Sequence, residues 1–231
     1  MRALALTFLF LAGCSGPTTG PDGLPGSALP PGTRQVLVVR KPQEFPNGPV
    51  NLTAWEYSGG WKSVLGPMPC TIGKNGFAAV GEKKEGDGKT PSGVYGIHRA
   101  FGYEKGVDTK LDYRAITPDD FWCDDPDSPQ YNRRTKGVPA AKSYEKMRRD
   151  DDAYKYLAVI EYNTDPVEPG KGSAIFLHVW AGEGKPTAGC VAVAEGEMAK
   201  LLAWLDKSRR RPKRRMSGTP SACWSAKSTR L

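Results

Sequence analysis

A chain of 231 residues, 39% of them hydrophobic, is long enough for one domain with a real core, and 27 glycines and 20 prolines lean it toward a turn-rich, strand-rich fold. The formal net charge of +8 invites a nucleic-acid reading, but nine Lys and Arg and no acid lie between Lys207 and Leu231, which leaves 24 basic against 25 acidic residues elsewhere. The basicity belongs to the tail and forms no folded cationic face, so no nucleic-acid partner is expected.

The chain opens MRALALTFLFLAGCSG. Arg2 is a minimal basic start, and Ala3 to Leu11 is apolar but too short to span a bilayer as a mature helix. Leu11-Ala12-Gly13-Cys14 is similar to a bacterial lipobox, which implies cleavage before Cys14 and lipid on that cysteine. An ordinary secretory signal with an incidental cysteine is the other reading, and both export the protein. Residues 1–13 are therefore expected to be a lipoprotein signal peptide. Residues 14–33 are expected to be a Gly/Pro-rich tether from a membrane anchor. An extracytoplasmic location follows.

Arg34 to Arg40 is short, apolar and β-branched, as a first strand should be. Val50 to Tyr57 alternates, Ser58-Gly59-Gly60 turns, and Trp61 to Leu65 returns, which is a hairpin pattern. Met68 to Ile72 reads as a further strand ending at the Asn75-Gly76 turn, and Val94 to Arg99 as another. Tyr103 to Ala153 is rich in Asp, Pro, Arg and Tyr and reads as a long excursion over one face, with a short helix around Lys142 to Arg149. Tyr156 to Tyr162, Ser173 to Trp180 and Cys190 to Val193 return to strand character. Gly196 to Lys207 is the one persuasive helix, because Met198, Leu201, Leu202 and Leu205 fall on a single apolar stripe. The folded part is thus expected at residues 34–207, mainly β with few helices. Residues 208–231 show no convincing strand and are expected to be a basic, disordered tail.

Five cysteines are present: Cys14, Cys70, Cys123, Cys190 and Cys223. Exported proteins form disulfides, and Cys70 with Cys123 is a candidate pair. There is no CxxC and no His-rich cluster, so a zinc site is not expected. Only two histidines exist, His98 and His178. A catalytic thiol needs a base to become thiolate at neutral pH. His178 lies in an expected strand, Cys190 follows after a short Gly-rich loop, and a returning strand brings the two to one edge. Gly189 leaves room for a substrate carbonyl, and the N–H groups of Gly189 and Cys190 are candidate oxyanion donors. The other reading is that Cys190 is a small buried hydrophobe and His178 a structural residue.

Several ordered segments carry a resemblance. His178 followed by Pro186-Thr187-Ala188-Gly189-Cys190-Val191 resembles the His…[Ser/Thr]-x-Gly-Cys signature of the L,D-transpeptidase catalytic domain, or YkuD domain. Glu85 to Gly93 (EGDGKTPSG) resembles that family's EGDGxTPxG segment. Trp122-Cys123-Asp124-Asp125-Pro126 with Tyr131-Asn132, and Gly172 to His178 (GSAIFLH), resemble one branch of it. The resemblance covers roughly residues 36–205 and implies a β-sandwich or mixed-sheet α+β fold with one amphipathic helix after the nucleophile.

It also implies acyl transfer on peptidoglycan stem peptides without cofactor or metal. Cys190 is the nucleophile and His178 the base; the acceptor is an amine of a second stem, giving a 3-3 crosslink, or a protein amine. Alternatives are a peptidoglycan hydrolase or carboxypeptidase with the same dyad, and a non-catalytic wall-binding lipoprotein. Thr187 is expected to orient His178 or to be a plain loop residue. Trp122, Asp124, Tyr131 and Asn132 line the cleft, with Asp124 or Asp125 meeting the diamino acid's ammonium, or else they serve turns. Trp180 walls the cleft or packs, Asp87 to Gly93 is a structural turn, and His98 is structural or else the one rival base. Two departures stand out: Ala192 occupies a position where many members carry Arg, and no closing strand follows the helix.

Overall fold

The computed structural model describes residues 29–41 and 49–207, the positions 20, 21 and 24, and the backbone of a strand at 222–227. The expected signal peptide, Cys14, most of the expected tether and the rest of the tail lie outside the described residues.

Fourteen strands and one helix are described. The main sheet uses β1 (Gln35–Arg40), β2 (Asn51–Tyr57), β3 (Trp61–Thr71), β6 (Gly93–Gly102), β7 (Asp112–Ala115), β11 (Tyr156–Ile160), β12 (Phe176–Val179), β13 (Val191–Val193) and β14 (Ala222–Lys227). Their order is β11-β12-β13-β3-β2-β1-β14-β6-β7, and β6 also pairs with β11, which closes eight strands into a ring with β7 added outside. A two-stranded ladder joins β4 (Phe77–Ala78) to β5 (Thr90–Pro91). The expected mainly β, mixed-sheet fold with one helix is what the chain adopts.

Alternation along the strands explains why the ring has two buried faces. Leu177 and Val179 of β12, Val191 and Val193 of β13, and Ala158 and Ile160 of β11 belong to the inner core with Leu37, Leu52 and Ile97. Phe176, Leu157 and Val159 belong to a second cluster on the outer face. A strand covered on both sides reads as an unbroken apolar run, which is why YLAVI and AIFL carry no polar phase. The outer cover is a small sheet of β8 (Asp120–Cys123), β9 (Arg133–Lys136) and β10 (Tyr144–Lys146), in the order β10-β8-β9. It is built from the long excursion. Helix α1 (Glu195–Trp204) buries Met198, Leu201 and Leu202, and Leu205 behind it is also buried.

Four local expectations are corrected. Trp61–Leu65 and Met68–Ile72 are parts of one strand, β3, bent at Gly66. That glycine has φ +89, and a Cβ there would lie 2.6 Å from the Leu52 carbonyl oxygen. No helix forms at Lys142 to Arg149; β10 pairs there with β8. Its period is two: Tyr144 and Lys146 are exposed, while Glu145 and Met147 turn inward. Cys70 and Cys123 are both buried and free; they stand on β3 and β8, in different sheets. A closing strand does exist: β14 pairs parallel with β1 and antiparallel with β6. Its sequence ACWSAK has weak strand character, but two flanking edges with unpaired N–H and C=O groups specify it from outside.

Candidate active site

β12 and β13 run parallel in the register Leu177↔Val191 and His178↔Ala192. Cys190 precedes β13 by one residue and falls beside Phe176, whose N–H points at Cys190 Sγ from 3.4 Å. Side chains two apart share a face, so His178 stands on the Cys190 face one step further along β12, a rise of about 7 Å. The structure therefore brings the two predicted residues to one face of neighbouring strands. His98 is half-buried on β6, and β11 lies between that strand and β12.

The His178 ring is buried, with Nδ1 2.8 Å from the Val179 carbonyl oxygen. A carbonyl only accepts, so Nδ1 carries the proton and Nε2 keeps its lone pair. The backbone of Ala153 also bonds the ring, and Tyr154 packs edge-on at 5.4 Å. Burial moves the His178 pKa below the ordinary 6.5, helped by the Arg149 charge.

The Cys190 thiol donates to the Ala174 carbonyl oxygen at 3.2 Å. Burial, then the negative charge of Glu145, pushes its pKa up to about 12; the Phe176 N–H, Lys83 and Arg149 oppose this. The resting pair is a neutral thiol and a neutral imidazole. Alkylation of Cys190 by iodoacetamide is accordingly expected to be slow at pH 7 and to rise about tenfold per pH unit up to pH 10. Peptide mapping separates it from the buried Cys70 and Cys123. A rate already level at pH 7 would mean a preformed thiolate and would contradict the geometry.

The loop before Cys190 is pinned by two threonines. Thr187 Oγ1 donates to the Cys190 carbonyl oxygen at 2.7 Å and accepts from the Gly189 N–H at 3.1 Å. Its backbone bonds Ile72 and Lys74. Thr187 thus orients the backbone of Cys190, with no contact to His178 among its hydrogen bonds. The Gly189 N–H, expected as an oxyanion donor, is occupied by that hydroxyl. Gly189 itself has φ +155, and a Cβ would sit 2.9 Å from the Lys89 carbonyl oxygen. The glycine makes room for the chain's own backbone. Thr90, fully buried, donates to the Gly189 carbonyl oxygen at 2.8 Å and accepts from Gly73 N at 2.9 Å. The segment expected to be a plain turn therefore buttresses the loop before Cys190.

Of the expected cleft residues, Trp122, Tyr131 and Asn132 are in the interior, at 1%, 2% and 4% exposure. Trp122 packs edge-on against Phe176 at 4.9 Å. Asn132 Oδ1 accepts from Trp122 Nε1 and from Ala174 N, both at 3.0 Å. Its Nδ2 donates to the carbonyls of Tyr162 and Asn163 at 3.1 and 2.6 Å. Asn132 therefore holds Ala174, whose carbonyl takes the Cys190 thiol. Ala174 has φ +52, a left-handed conformation unusual for alanine. Trp180 is half-buried at the end of β12, where its N–H donates to the Val193 carbonyl.

Asp124 is half-buried, and its Oδ1 has no hydrogen-bond partner. Glu145 accepts from Tyr154 Oη and Glu85 from Tyr131 Oη. Burial raises the Glu145 pKa, and the charges of Asp124 and Glu85 add to it. Three carboxylates thus share one patch, and Cys190 senses it through Glu145. Asp125 instead accepts from the N–H groups of Asp127 and Lys142 at 3.0 and 2.7 Å, a turn role.

The sequence model of the L,D-transpeptidase catalytic domain (YkuD) matches residues 34–220. The chain belongs to this family. No curated protein and no solved structure matches it in the corresponding comparisons. As a YkuD-domain protein it has the family's peptidoglycan-directed function, and the matched span contains both Cys190 and His178 as well as the excursion that covers their face. The residues that sequence reasoning missed, Thr90, Ala174, Tyr154 and Glu145, act through backbone conformation, packing or charge. Thr90 and Ala174 left a trace only as members of the EGDGKTPSG and GSAIFLH segments.

Proposed function

We propose that this protein is a cysteine acyltransferase, an L,D-transpeptidase that attacks the bond between a stem peptide's diamino acid and its terminal D-Ala. One observation carries the reading: Cys190 and His178 share a face of adjacent parallel strands, and the Val179 carbonyl fixes the imidazole with Nε2 as its base. As substrate arrives, the Cys190 proton passes to His178 Nε2 and sulfur attacks the diamino-acid carbonyl carbon. The carbon–nitrogen bond to D-Ala then breaks, His178 returns the proton to the departing amine, and a thioester remains on Cys190. An amine of a second stem or of a protein attacks that thioester, gives up a proton to His178 and restores the thiol.

The acidic patch supports a diamino acid as the residue attacked. An ammonium beside Asp124 and Glu145 satisfies an orphaned carboxylate oxygen. It also offsets the Glu145 charge, which adds to burial in raising the Cys190 pKa. Substrate binding and thiol activation are thereby one event. A lipid anchor on Cys14 and a Gly/Pro-rich tether support a location outside the cytoplasm, facing the wall from a membrane.

The test is intact-mass spectrometry of the protein, starting at residue 34, incubated with tetrapeptide muropeptides. D-Ala release is expected, with a tripeptide-stem acyl group on the peptide containing Cys190 and dimers when a second stem is supplied. D-Ala release without dimers would make water the acceptor. No adduct and no D-Ala release would sink the proposal.

A further inference from the structure

Tyr154 is 5% exposed and belongs to the same buried cluster as Phe176 and Cys190. Its ring meets His178 edge-on at 5.4 Å and Phe176 edge-on at 5.6 Å. These two are alternate residues of β12 and share a face, and the Phe176 N–H points at Cys190 Sγ. At its other end the Tyr154 hydroxyl donates to the Glu145 carboxylate. Glu145 stands opposite Trp122 in the β10–β8 ladder, so it points with Trp122 toward the main sheet. One side chain therefore spans from the imidazole to a carboxylate of the covering sheet. The backbone before it is pinned: the Ala153 carbonyl accepts from the Val179 N–H at 3.1 Å, and the Ala153 N–H donates to Asp151 Oδ1 at 3.0 Å.

The ring and the hydroxyl have separable consequences. The ring covers one flank of His178 and so adds to the burial that lowers the imidazole pKa. The hydroxyl supplies the one hydrogen bond that the Glu145 carboxylate accepts among the described residues. Burial, with the charges of Asp124 and Glu85, drives Glu145 toward its neutral form, and the Tyr154 hydroxyl and the Arg149 charge oppose this. Arg149 is itself committed: two parallel bonds of 2.8 Å join it to Asp151, and it lies over the Tyr154 ring at 5.2 Å. The hydroxyl is the larger of the two opposing influences. The charge it sustains reaches Cys190, where it is second only to burial in raising the thiol pKa.

We propose that Tyr154 is a positioning residue of this site: its ring holds the His178 imidazole and its hydroxyl holds the Glu145 carboxylate, so that one side chain fixes both the base and the charge that acts on the thiol. The proposal rests on the acyl-transfer reading for the role of the base, but its test does not. An ionised Glu145 keeps the thiol quiet in the unoccupied site, and a cation that neutralises it releases the thiol for attack.

The test compares full chains: the parent, Tyr154→Phe, Glu145→Gln and the double variant. Cys190 alkylation by iodoacetamide is followed by peptide mapping. Phenylalanine keeps the ring, and glutamine keeps an acceptor for the hydroxyl, so both retain the packing. Removing either the hydroxyl or the charge is expected to speed alkylation at pH 7 by about three- to tenfold, because Cys190 loses an opposing negative charge. In Glu145→Gln, adding Tyr154→Phe is expected to change the rate no further, since the hydroxyl acts through the carboxylate. A merely loosened site gives additive effects instead. The ring is read by NMR titration of His178, whose signal is told from that of His98 by its loss in His178→Gln. The His178 pKa is expected to stay below 6.5 in Tyr154→Phe and to rise toward 6.5 in Tyr154→Leu, which uncovers the imidazole. None of these readouts needs turnover, so they stand even if the acyl-transfer reading falls. An unchanged alkylation rate in Tyr154→Phe, additive effects in the double variant, or an unmoved His178 titration in Tyr154→Leu would overturn the proposal.

Discussion

Cys190→Ala is expected to end D-Ala release, and His178→Gln to lower the rate of Cys190 acylation by about 10²–10⁴-fold at pH 7. The size follows from the resting state. With the thiol pKa pushed up to about 12, only about one molecule in 10⁵ carries a thiolate at pH 7. Attack must therefore be coupled to proton removal, and His178, with Nδ1 tied to the Val179 carbonyl, leaves Nε2 to accept the proton. Glutamine retains a donor for the Val179 carbonyl but supplies no base. The pH profile fixes the sign. Burial holds the His178 pKa below 6.5, so the base form persists at neutral pH and activity is lost only as pH falls through that lowered value. His98→Gln is expected to leave both rate and profile unchanged. Activity retained in Cys190→Ala would end the mechanism. Activity lost in His98→Gln but kept in His178→Gln would move the base to β6.

The placing of Cys190 and His178 on one face was legible because its signal is chemical. Two histidines in the whole chain left few candidates for a base, and a strand, a Gly-rich loop and a strand place His178 and Cys190 side by side. The main strands were legible for a related reason: runs such as QVLVVR and YLAVI state their burial in their composition. β14 was not legible, because ACWSAK owes its conformation to β1 and β6 on either side. The excursion was legible only as an excursion. Tyr144 to Met147 has the period of a strand, but four residues within a charged stretch do not declare it. Roles were harder still. Asn132 and Thr187 were marked as site residues, yet their bonds run to the backbone that carries Cys190. The role of Ala174 was invisible, since nothing in an alanine announces a positive φ.

That alanine makes Asn132 the most consequential residue that touches neither the thiol nor the imidazole. A left-handed conformation costs an alanine about 1–2 kcal/mol. The Asn132 amide offsets this by accepting the Ala174 N–H while also holding Trp122, Tyr162 and Asn163. All four hydrogen bonds of the buried amide are made. Asn132 has a positive φ of its own, 54°, which asparagine tolerates better than alanine. Asn132→Ala is expected to cost about 3–5 kcal/mol of stability, through orphaned partners and a strained alanine. Below its lowered Tm, where the variant remains folded, kcat is expected to fall about 10²-fold, because the Ala174 carbonyl no longer sets the thiol's position. Asn132→Asp separates the two effects. It keeps both accepted bonds, and with them Ala174, but sets a carboxylate against the Tyr162 and Asn163 carbonyls. Stability should fall in that variant while kcat stays nearer the parent value. The pH profile of Cys190 alkylation gives a readout that stability alone does not move: it should shift in Asn132→Ala, where the Ala174 carbonyl is released. A folded Asn132→Ala with parental kcat and alkylation profile would reduce the residue to packing.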